Sequence, residues 1–408
     1  PGGYVSTADA AEVSMPATVQ ATIAARIDRL DPAAKRTLGA AAVIGSKVNR
    51  NLLESLGIDP ALEDLVRGQF LDQISFTRNP DYMFHHPLIR TVAYESQLKS
   101  DRADLHRRLA AAIETRAPAS VDENAALIAE HLEAAGDLHS AYGWHMRSAA
   151  WATMRDINAA RLSWERAQMI ADMLPADDPN RAAMRITPRT MMCGTAFRVH
   201  MDVGDKRFDE LRELCTAAGD KASLVIAMAG LVMEHTYRGR VREASQLASE
   251  AWTIVESVGD PTLTIGLFFA PFYAKIESGQ WGNVLEGSQR VIDLADGDPV
   301  QGNFMVGSPL AFAFAGRGIG RYCLGQAGWR GDLEHALAMA RAADPLCYAA
   351  IVTYIYFPGI PLGVQRADDR ALGEVEAAAK VAEQSGDDLA VAFARVTLGV
   401  ALVHRDTA

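Results

Sequence analysis

The chain has 408 residues, of which 49% are hydrophobic and 22% are charged, and its formal net charge is −11. Domains typically hold about 100–200 residues, so we expect two or more folded units. The acidic balance excludes a basic surface over the whole chain, which a general nucleic-acid binder needs, and leaves only a local basic face open. It also disfavours binding to membrane surfaces through a polybasic patch.

Residues 1–15 lack the basic start and the apolar core of a secretion signal, and we expect them to be a linker. The most apolar segments further on are shorter than the roughly 20 residues that a membrane-spanning helix needs, or are broken by Pro and Gly. They are residues 267–273, 309–315 and 351–364. The sequence therefore predicts a cytoplasmic protein with no membrane partner. Because it lacks an initiator Met and stops just after a periodic helix at 391–403, we expect a longer parent protein.

Three short helices are predicted within the first seventy residues. Val19, Ile23, Ile27 and Leu30 recur at helical spacing after Pro16. Asp-Pro pairs at 31–32 and 59–60 then read as an N-cap followed by Pro in the first helical turn, each opening a further helix.

The next segment predicts a β-hairpin. The strand-forming runs ISFT (74–77) and YMFH (82–85) flank RNPD (78–81), which has the residue types of a turn. Three helices followed by a hairpin is the order of a winged-helix domain. With its connecting helices, we place this domain at residues 16–117.

From residue 87 onward the pattern is helical, with the clearest helices over 88–98, 102–116, 122–135, 138–155 and 159–174. Gly219, Gly259 and Gly297 each follow a predicted helix, at spacings of 40 and 38 residues, and Gly239 and Gly279 fall midway between them. Each interval therefore holds two helices and a tight turn. We predict a tetratricopeptide-like α-solenoid over 118–408, with further repeat boundaries at GD (331–332) and SGD (385–387). The predicted fold class is all-α, with a small winged-helix domain before the solenoid.

Four stretches carry a family resemblance. They are PATVQATIAARIDRLDPAAKRTLGAAAVIG (16–45), ALEDLVRGQFLDQ (61–73), YMFHHPLIRTVAYESQL (82–98) and RADLHRRLAAAIE (102–114). Together they resemble the region that follows the nucleotide-binding domain in multidomain signal-transduction ATPases. These ATPases include the actinobacterial class III adenylyl cyclase–ATPase fusions and the regulators related to the maltotriose-responsive activator. The resemblance is specific over about residues 16–150 and generic beyond.

The resemblance implies a parent with an upstream P-loop ATPase domain that binds ATP or ADP. It also implies a repeat sensor that binds a protein or small-molecule effector. The chain itself has no GxxxxGK[ST] motif, so we expect no cofactor and no catalytic site in it. Two alternatives stay open: a fragment of an adenylyl cyclase, or of a transcription regulator whose DNA-binding helices lie beyond residue 408.

His86, in HPLIR, is the predicted nucleotide-switch residue. This run is similar to the Met-His-Asp-Leu pattern that ends the winged helix of related ATPases, where the His contacts the β-phosphate of ADP. Here Pro87 stands in place of the Asp. An imidazole at a helix N-terminus can meet phosphate oxygens, but it can also simply cap its own helix.

Several other patterns predict no site. His131, His139 and His145 lack the spacing of metal ligands on one helix, so we expect no metal. GRGIG (316–320) has no Lys after it, so it does not match a nucleotide loop. The third predicted helix carries Glu63 and Asp64 where a DNA reader needs basic or amide side chains, so we expect no nucleic-acid partner. The four isolated cysteines read as buried free thiols.

Two aromatic clusters are predicted to line the concave surface of the solenoid, where an effector would bind. Their members are Phe268, Phe269, Phe272 and Tyr273 in one stretch, and Tyr354, Tyr356 and Phe357 in the other. Packing between repeats is the alternative reading of the same residues.

Overall fold

A computed structural model describes residues 17–405 except 76, 78, 79, 117, 154, 199–204, 304–306, 344, 386 and 387. The chain divides into two compact units, residues 1–151 and 152–408. The predicted linker, 1–15, lies outside the described residues. The predicted boundary after residue 117 falls inside the first unit and stays a prediction.

The described part of the first unit combines helices with one small antiparallel sheet. Its elements are α1 (Ala17–Asp28), α2 (Pro32–Ile44), β1 (Lys47–Asn49), α3 (Arg50–Ser55), α4 (Leu62–Arg67), β2 (Leu71–Gln73), β3 (Asp81–Phe84), α5 (Pro87–Glu95), α6 (Lys99–Arg116), α7 (Ala125–Ala134) and α8 (Leu138–Ala152). The strand order is β1-β3-β2. Lys47 pairs with Met83, and Leu71 pairs with Phe84, so β3 is the central strand.

Local signals explain where the first helices begin and which faces they bury. The Asp31 carboxylate accepts hydrogen bonds from the backbone N–H groups of Ala33 and Ala34 at 2.8 and 3.0 Å, which confirms the predicted cap of α2. Ile23 and Ile27 on α1 pack into one core with Leu38 on α2. Each such side chain contributes about 1.5–3 kcal/mol when fully buried.

Two predictions for this unit are wrong in detail. Asp59 caps no helix, because α4 begins only at Leu62 and Ala61 occupies its N-cap position. The first hairpin strand is 71–73 rather than 74–77, because Leu71 faces the core whereas Ile74 is 41% exposed. Residues 78 and 79 of the predicted turn lie outside the described residues. Sequence analysis also missed β1 and α3, which have only three and six residues.

In the second unit, all the described regular elements are helical. Its α-helices are α9 (Ile157–Met173), α10 (Arg181–Gly194), α11 (Asp205–Ala218), α12 (Lys221–Tyr237), α13 (Val241–Val258), α14 (Pro261–Leu267), α15 (Phe269–Glu277), α16 (Trp281–Ala295), α17 (Pro309–Cys323), α18 (Trp329–Ala342), α19 (Pro345–Tyr356), α20 (Asp369–Ser385) and α21 (Asp388–Arg405). Each helix packs on its chain neighbour, and α10, α12, α15, α17 and α19 also pack on one another in succession. The prediction of an all-α array of helical pairs is confirmed for this unit.

Glycines in the left-handed region mark the turns between helices. Positive φ angles occur at Gly219 (68°), Gly239 (71°), Gly259 (70°), Gly279 (68°) and Gly297 (83°). These are the five positions that carry the sequence period, so the predicted repeat is confirmed there. The predicted boundary at Gly331 is wrong, because that residue lies inside α18 and the turn before it uses Gly325 and Gly328. Gly386 lies outside the described residues.

Other glycines allow helices to approach closely. A Cβ placed on Gly230 of α12 would lie 2.2 Å from the carbonyl oxygen of Cys193 on α10. The GRGIG run lies within α17, where a Cβ on Gly316 would lie 2.3 Å from the Phe272 ring and one on Gly318 would lie 2.6 Å from Leu333. This run is therefore a helix-packing surface and not a phosphate-binding loop. Among the helices that the structure describes, none is both long and apolar enough to cross a bilayer.

Candidate functional site

His86 is the N-cap residue of α5, and its side chain is exposed. Its Nδ1 accepts a hydrogen bond from the backbone N–H of Leu88 at 3.1 Å. An accepting Nδ1 carries no proton, so the neutral ring holds its proton on Nε2 and can donate from there. The capping alternative is thus realised, and it leaves Nε2 as a possible donor to an anion.

The preceding residue, His85, has a different hydrogen-bond partner. Nδ1 of His85 lies 2.9 and 3.0 Å from the two carboxylate oxygens of Asp72 on the neighbouring strand β2. The two adjacent histidines therefore have different partners.

A buried histidine pair lies further along the same unit. The Nδ1 atoms of His106 (α6) and His131 (α7) are 3.0 Å apart, and the Tyr94 hydroxyl (α5) lies 2.9 Å from Nε2 of His106. Burial, reinforced by His131 and by the charges of Arg102 and Arg90, lowers the pKa of His106 to about 4. The pair therefore joins three helices as neutral rings at physiological pH. The sequence gives no signal for this pair, because His106 and His131 lie 25 residues apart on different helices.

Metal binding has no support in the described part of the chain, where no group of three or more His, Cys, Asp or Glu side chains is placed to hold an ion. Cys193, Cys215 and Cys347 are buried and Cys323 is half-buried. Burial raises the pKa of Cys193 to about 11. This thiol is therefore protonated and unreactive at neutral pH.

The structure brings four of the seven predicted aromatic residues together. Ring centroids are 5.4 Å apart for Phe268 and Phe272, 5.6 Å for Phe272 and Tyr354, and 5.2 Å for Tyr273 and Tyr354. Phe269 packs in a neighbouring cluster. These contacts join α15 to α19, whose sequences are about eighty residues apart.

Most of this aromatic cluster is core. Phe268, Phe269, Phe272, Tyr354 and Tyr356 are at most 5% exposed, and Tyr273 and Phe357 are half-buried. Burial raises the pKa of Tyr354 well above its usual value, so its hydroxyl stays protonated. The packing alternative therefore describes most of these residues, and their role as an effector surface stays a prediction.

One open groove does reach the aromatic cluster. It has a volume of about 290 Å³ and lies between α13, α15 and α16. Phe268 and Phe272 line it, together with Trp252, Lys275 and Arg290. Small-ligand sites are mostly apolar clefts of about 300–1,000 Å³ with a few polar groups, so the groove is at the lower end of that range.

Sequence analysis missed the polar half of this groove. Lys275 is the only charged residue within the apolar run FAPFYAKI (269–276), and this isolation was the available signal. Trp252 gave no signal by itself, because it belongs to a different helix and meets Phe268 only in the folded chain, at a centroid distance of 6.4 Å.

Comparisons with known proteins find similarity to solved structures only. No protein-family model and no curated protein matches the chain. Among solved structures, it is similar to a crystal structure of a Signal Transduction ATPase with Numerous Domains (STAND) protein with a tetratricopeptide repeat sensor, from Pyrococcus horikoshii. The TM-score is 0.41 and the sequence identity is 13%, over 96% of this chain and 63% of that one. The chain thus spans less than two thirds of that structure's length.

Proposed function

We propose that this chain is the regulatory and sensing part of a cytoplasmic signalling ATPase. A winged-helix domain contacts a nucleotide-binding domain of the longer parent protein, and a tetratricopeptide-like helical array binds an effector. Effector binding shifts the parent between its closed, ADP-bound state and an open state. The size of that shift is limited by the difference between the effector's affinities for the two states.

The order of elements in the first unit carries this proposal. From α2 onward the order is one helix (α2), one strand (β1), two helices (α3 and α4) and a pair of strands (β2 and β3). Strand β1 joins the sheet beside β3. This is the order of a winged helix, and the helical pairs that follow match the sequence resemblance to the region behind a nucleotide-binding domain. The absence of a P-loop motif from the sequence agrees with a nucleotide site in a different domain.

The chemistry of α4 favours a protein partner over DNA. In a DNA-reading winged helix this element enters the major groove and presents basic or amide side chains. Here α4 presents Glu63 and Asp64, and its one arginine, Arg67, is paired with Asp64 at 3.0 Å. Carboxylates at this position would repel phosphates, which supports a protein partner for this unit.

His86 supports the same proposal. Its ring is exposed at a helix N-terminus, where backbone N–H groups and the helix dipole favour an anion. We propose that Nε2 donates a hydrogen bond to a phosphate oxygen of ADP held by the nucleotide-binding domain.

Nucleotide binding by the isolated chain tests the proposal. Equilibrium dialysis of the 408-residue chain with labelled ATP and ADP should show no saturable binding at micromolar nucleotide. Tight binding of ATP by this chain alone would overturn the assignment, because the nucleotide site would then belong to the chain itself.

A further inference from the structure

The groove between α13, α15 and α16 has a polar end, an apolar middle and an ion-paired end. Lys275 and Ser249 line the polar end. Trp252, Phe268 and Phe272 line the middle. At the far end, the Arg290 guanidinium pairs with the carboxylate of Glu256. Ser249 and Glu256 are seven residues apart on α13, so the groove is about 10 Å long at 1.5 Å per residue.

The Lys275 ammonium is held in a cradle of neutral oxygens. Its Nζ lies 3.0 Å from the carbonyl oxygen and 2.9 Å from the hydroxyl of Ser245, 2.7 Å from the Ser249 hydroxyl and 3.1 Å from Oε1 of Gln280. The Gln280 amide also donates to the Ser245 hydroxyl at 2.7 Å, which fixes the cradle.

This cation has no ion-pair partner within 4 Å among the described residues, unlike Arg290 at the other end. Burial lowers the pKa of Lys275, because part of its side chain is removed from water. An ammonium that is partly removed from water gains more from an anion than a fully hydrated one does, because the surrounding medium screens the interaction less. The most accessible of its acceptors is the exposed Ser249 hydroxyl, and an incoming carboxylate can replace it.

We propose that this groove binds a small monocarboxylate with an aromatic or apolar body, which makes it the effector site of the helical array. The carboxylate pairs with Lys275, and the ring of the ligand packs against the half-buried Trp252. This inference rests on the proposed sensing function and names the ligand class for it.

The charges around the groove favour one negative charge over two. Arg290 is paired with Glu256, whereas Lys275 has no carboxylate within 4 Å among the described residues. Glu256 and Glu286 also line the groove and repel any anion, and they repel a phosphate dianion about twice as strongly as a monocarboxylate. The volume of about 290 Å³ fits a single-ring acid.

Calorimetric titration of the whole 408-residue chain with 3-phenylpropionate tests the proposal, with 3-phenylpropionamide and inorganic phosphate as comparison ligands. The acid should bind, and the amide should bind roughly tenfold to a hundredfold more weakly, because it loses a charge-assisted hydrogen bond. Phosphate should neither bind nor compete with the acid.

Two variants locate the binding. Lys275→Met keeps the stem of the side chain and removes its charge, and should weaken acid binding roughly tenfold or more. Ser249→Leu fills the groove from an exposed position and should abolish binding while the chain stays folded. Lys221→Met is the matched control, because Lys221 also bonds to a serine hydroxyl, that of Ser257 at 3.1 Å, but lies outside the groove.

The proposal is overturned if the acid does not bind, if acid and amide bind equally, if phosphate displaces the acid, or if Lys275→Met and Lys221→Met have the same affinity. These results are independent of the nucleotide test. A chain that binds neither the acid nor ATP would refute this ligand class and leave the regulatory role standing.

Discussion

The crossing of α10 and α12 depends on a glycine, and Gly230→Ala should disrupt it. The added methyl group would lie 2.2 Å from the carbonyl oxygen of Cys193 and 2.5 Å from the Cα of Gly194. Both are backbone atoms of α10, so no side chain can rotate away. The two helices would have to separate by more than about 1 Å to restore an ordinary carbon–oxygen contact of about 3.5 Å.

The expected change in the free energy of unfolding of Gly230→Ala follows from two opposing effects. Alanine in the interior of a helix is favoured over glycine by about 1 kcal/mol. Overpacking a close-packed contact costs about 1–3 kcal/mol and sometimes more, and a clash with backbone belongs at the upper end. We therefore expect Gly230→Ala to lower the free energy of unfolding by about 2 kcal/mol.

Urea denaturation followed by circular dichroism measures this change. Gly373→Ala in α20 is the matched control, because a Cβ there meets no heavy atom within 4 Å. That variant should be more stable than the parent by up to about 1 kcal/mol. If Gly230→Ala were as stable as Gly373→Ala, the close crossing of α10 and α12 would be refuted.

Two further predictions concern buried charge. His106 gains its proton at about pH 4 in the folded chain, below its unfolded value of about 6.5, so its contribution to stability is complete above pH 6.5 and is lost as the pH falls toward 4. Acidification over that range should lower the free energy of unfolding by about 3 kcal/mol more in the unmutated chain than in His106→Phe. Urea titrations at each pH measure this difference. If the two chains lost stability in parallel as the pH fell, the burial of a neutral His106 ring would be contradicted. Asp332 is 6% exposed and accepts hydrogen bonds from Arg317 at 2.6 and 3.1 Å and from Arg321 at 2.7 Å. Asp332→Asn should destabilise the chain by about 3 kcal/mol in the same assay, because it leaves two guanidinium groups without their counter-ion, and a change below about 1 kcal/mol would show that the cluster is solvated.

Helices could be predicted where local chemistry determines them. The Asp31-Pro32 pair caps α2 as expected, because the capping carboxylate needs only neighbouring N–H groups. The repeat period could also be predicted from the glycine spacing, because a turn residue in the left-handed region favours glycine whatever its distant contacts are. The Asp59-Pro60 pair does not begin a helix, since the chain remains non-helical until Leu62. The same local signal was therefore not sufficient at this position.

Features that depend on distant contacts could not be predicted. Strand β1 has three residues and exists because it pairs with β3, more than thirty residues later. The groove requires Trp252, Phe268 and Lys275 from two helices, and only the aromatic stretch on one of them could be recognised in the sequence. Aromatic residues at helical spacing fit both an effector surface and packing between repeats, and the folded chain buries most of them between α15 and α19.

The central claim is that this chain controls a nucleotide switch in its parent protein. Its most direct test is the rate at which ADP leaves the parent's nucleotide-binding domain, measured with a fluorescent ADP analogue with and without the added 408-residue chain. We expect slower release with the chain present and a return toward the faster rate with the His86→Ala variant, which lacks the proposed phosphate contact. A release rate that the chain does not change would refute the proposed control of the nucleotide switch.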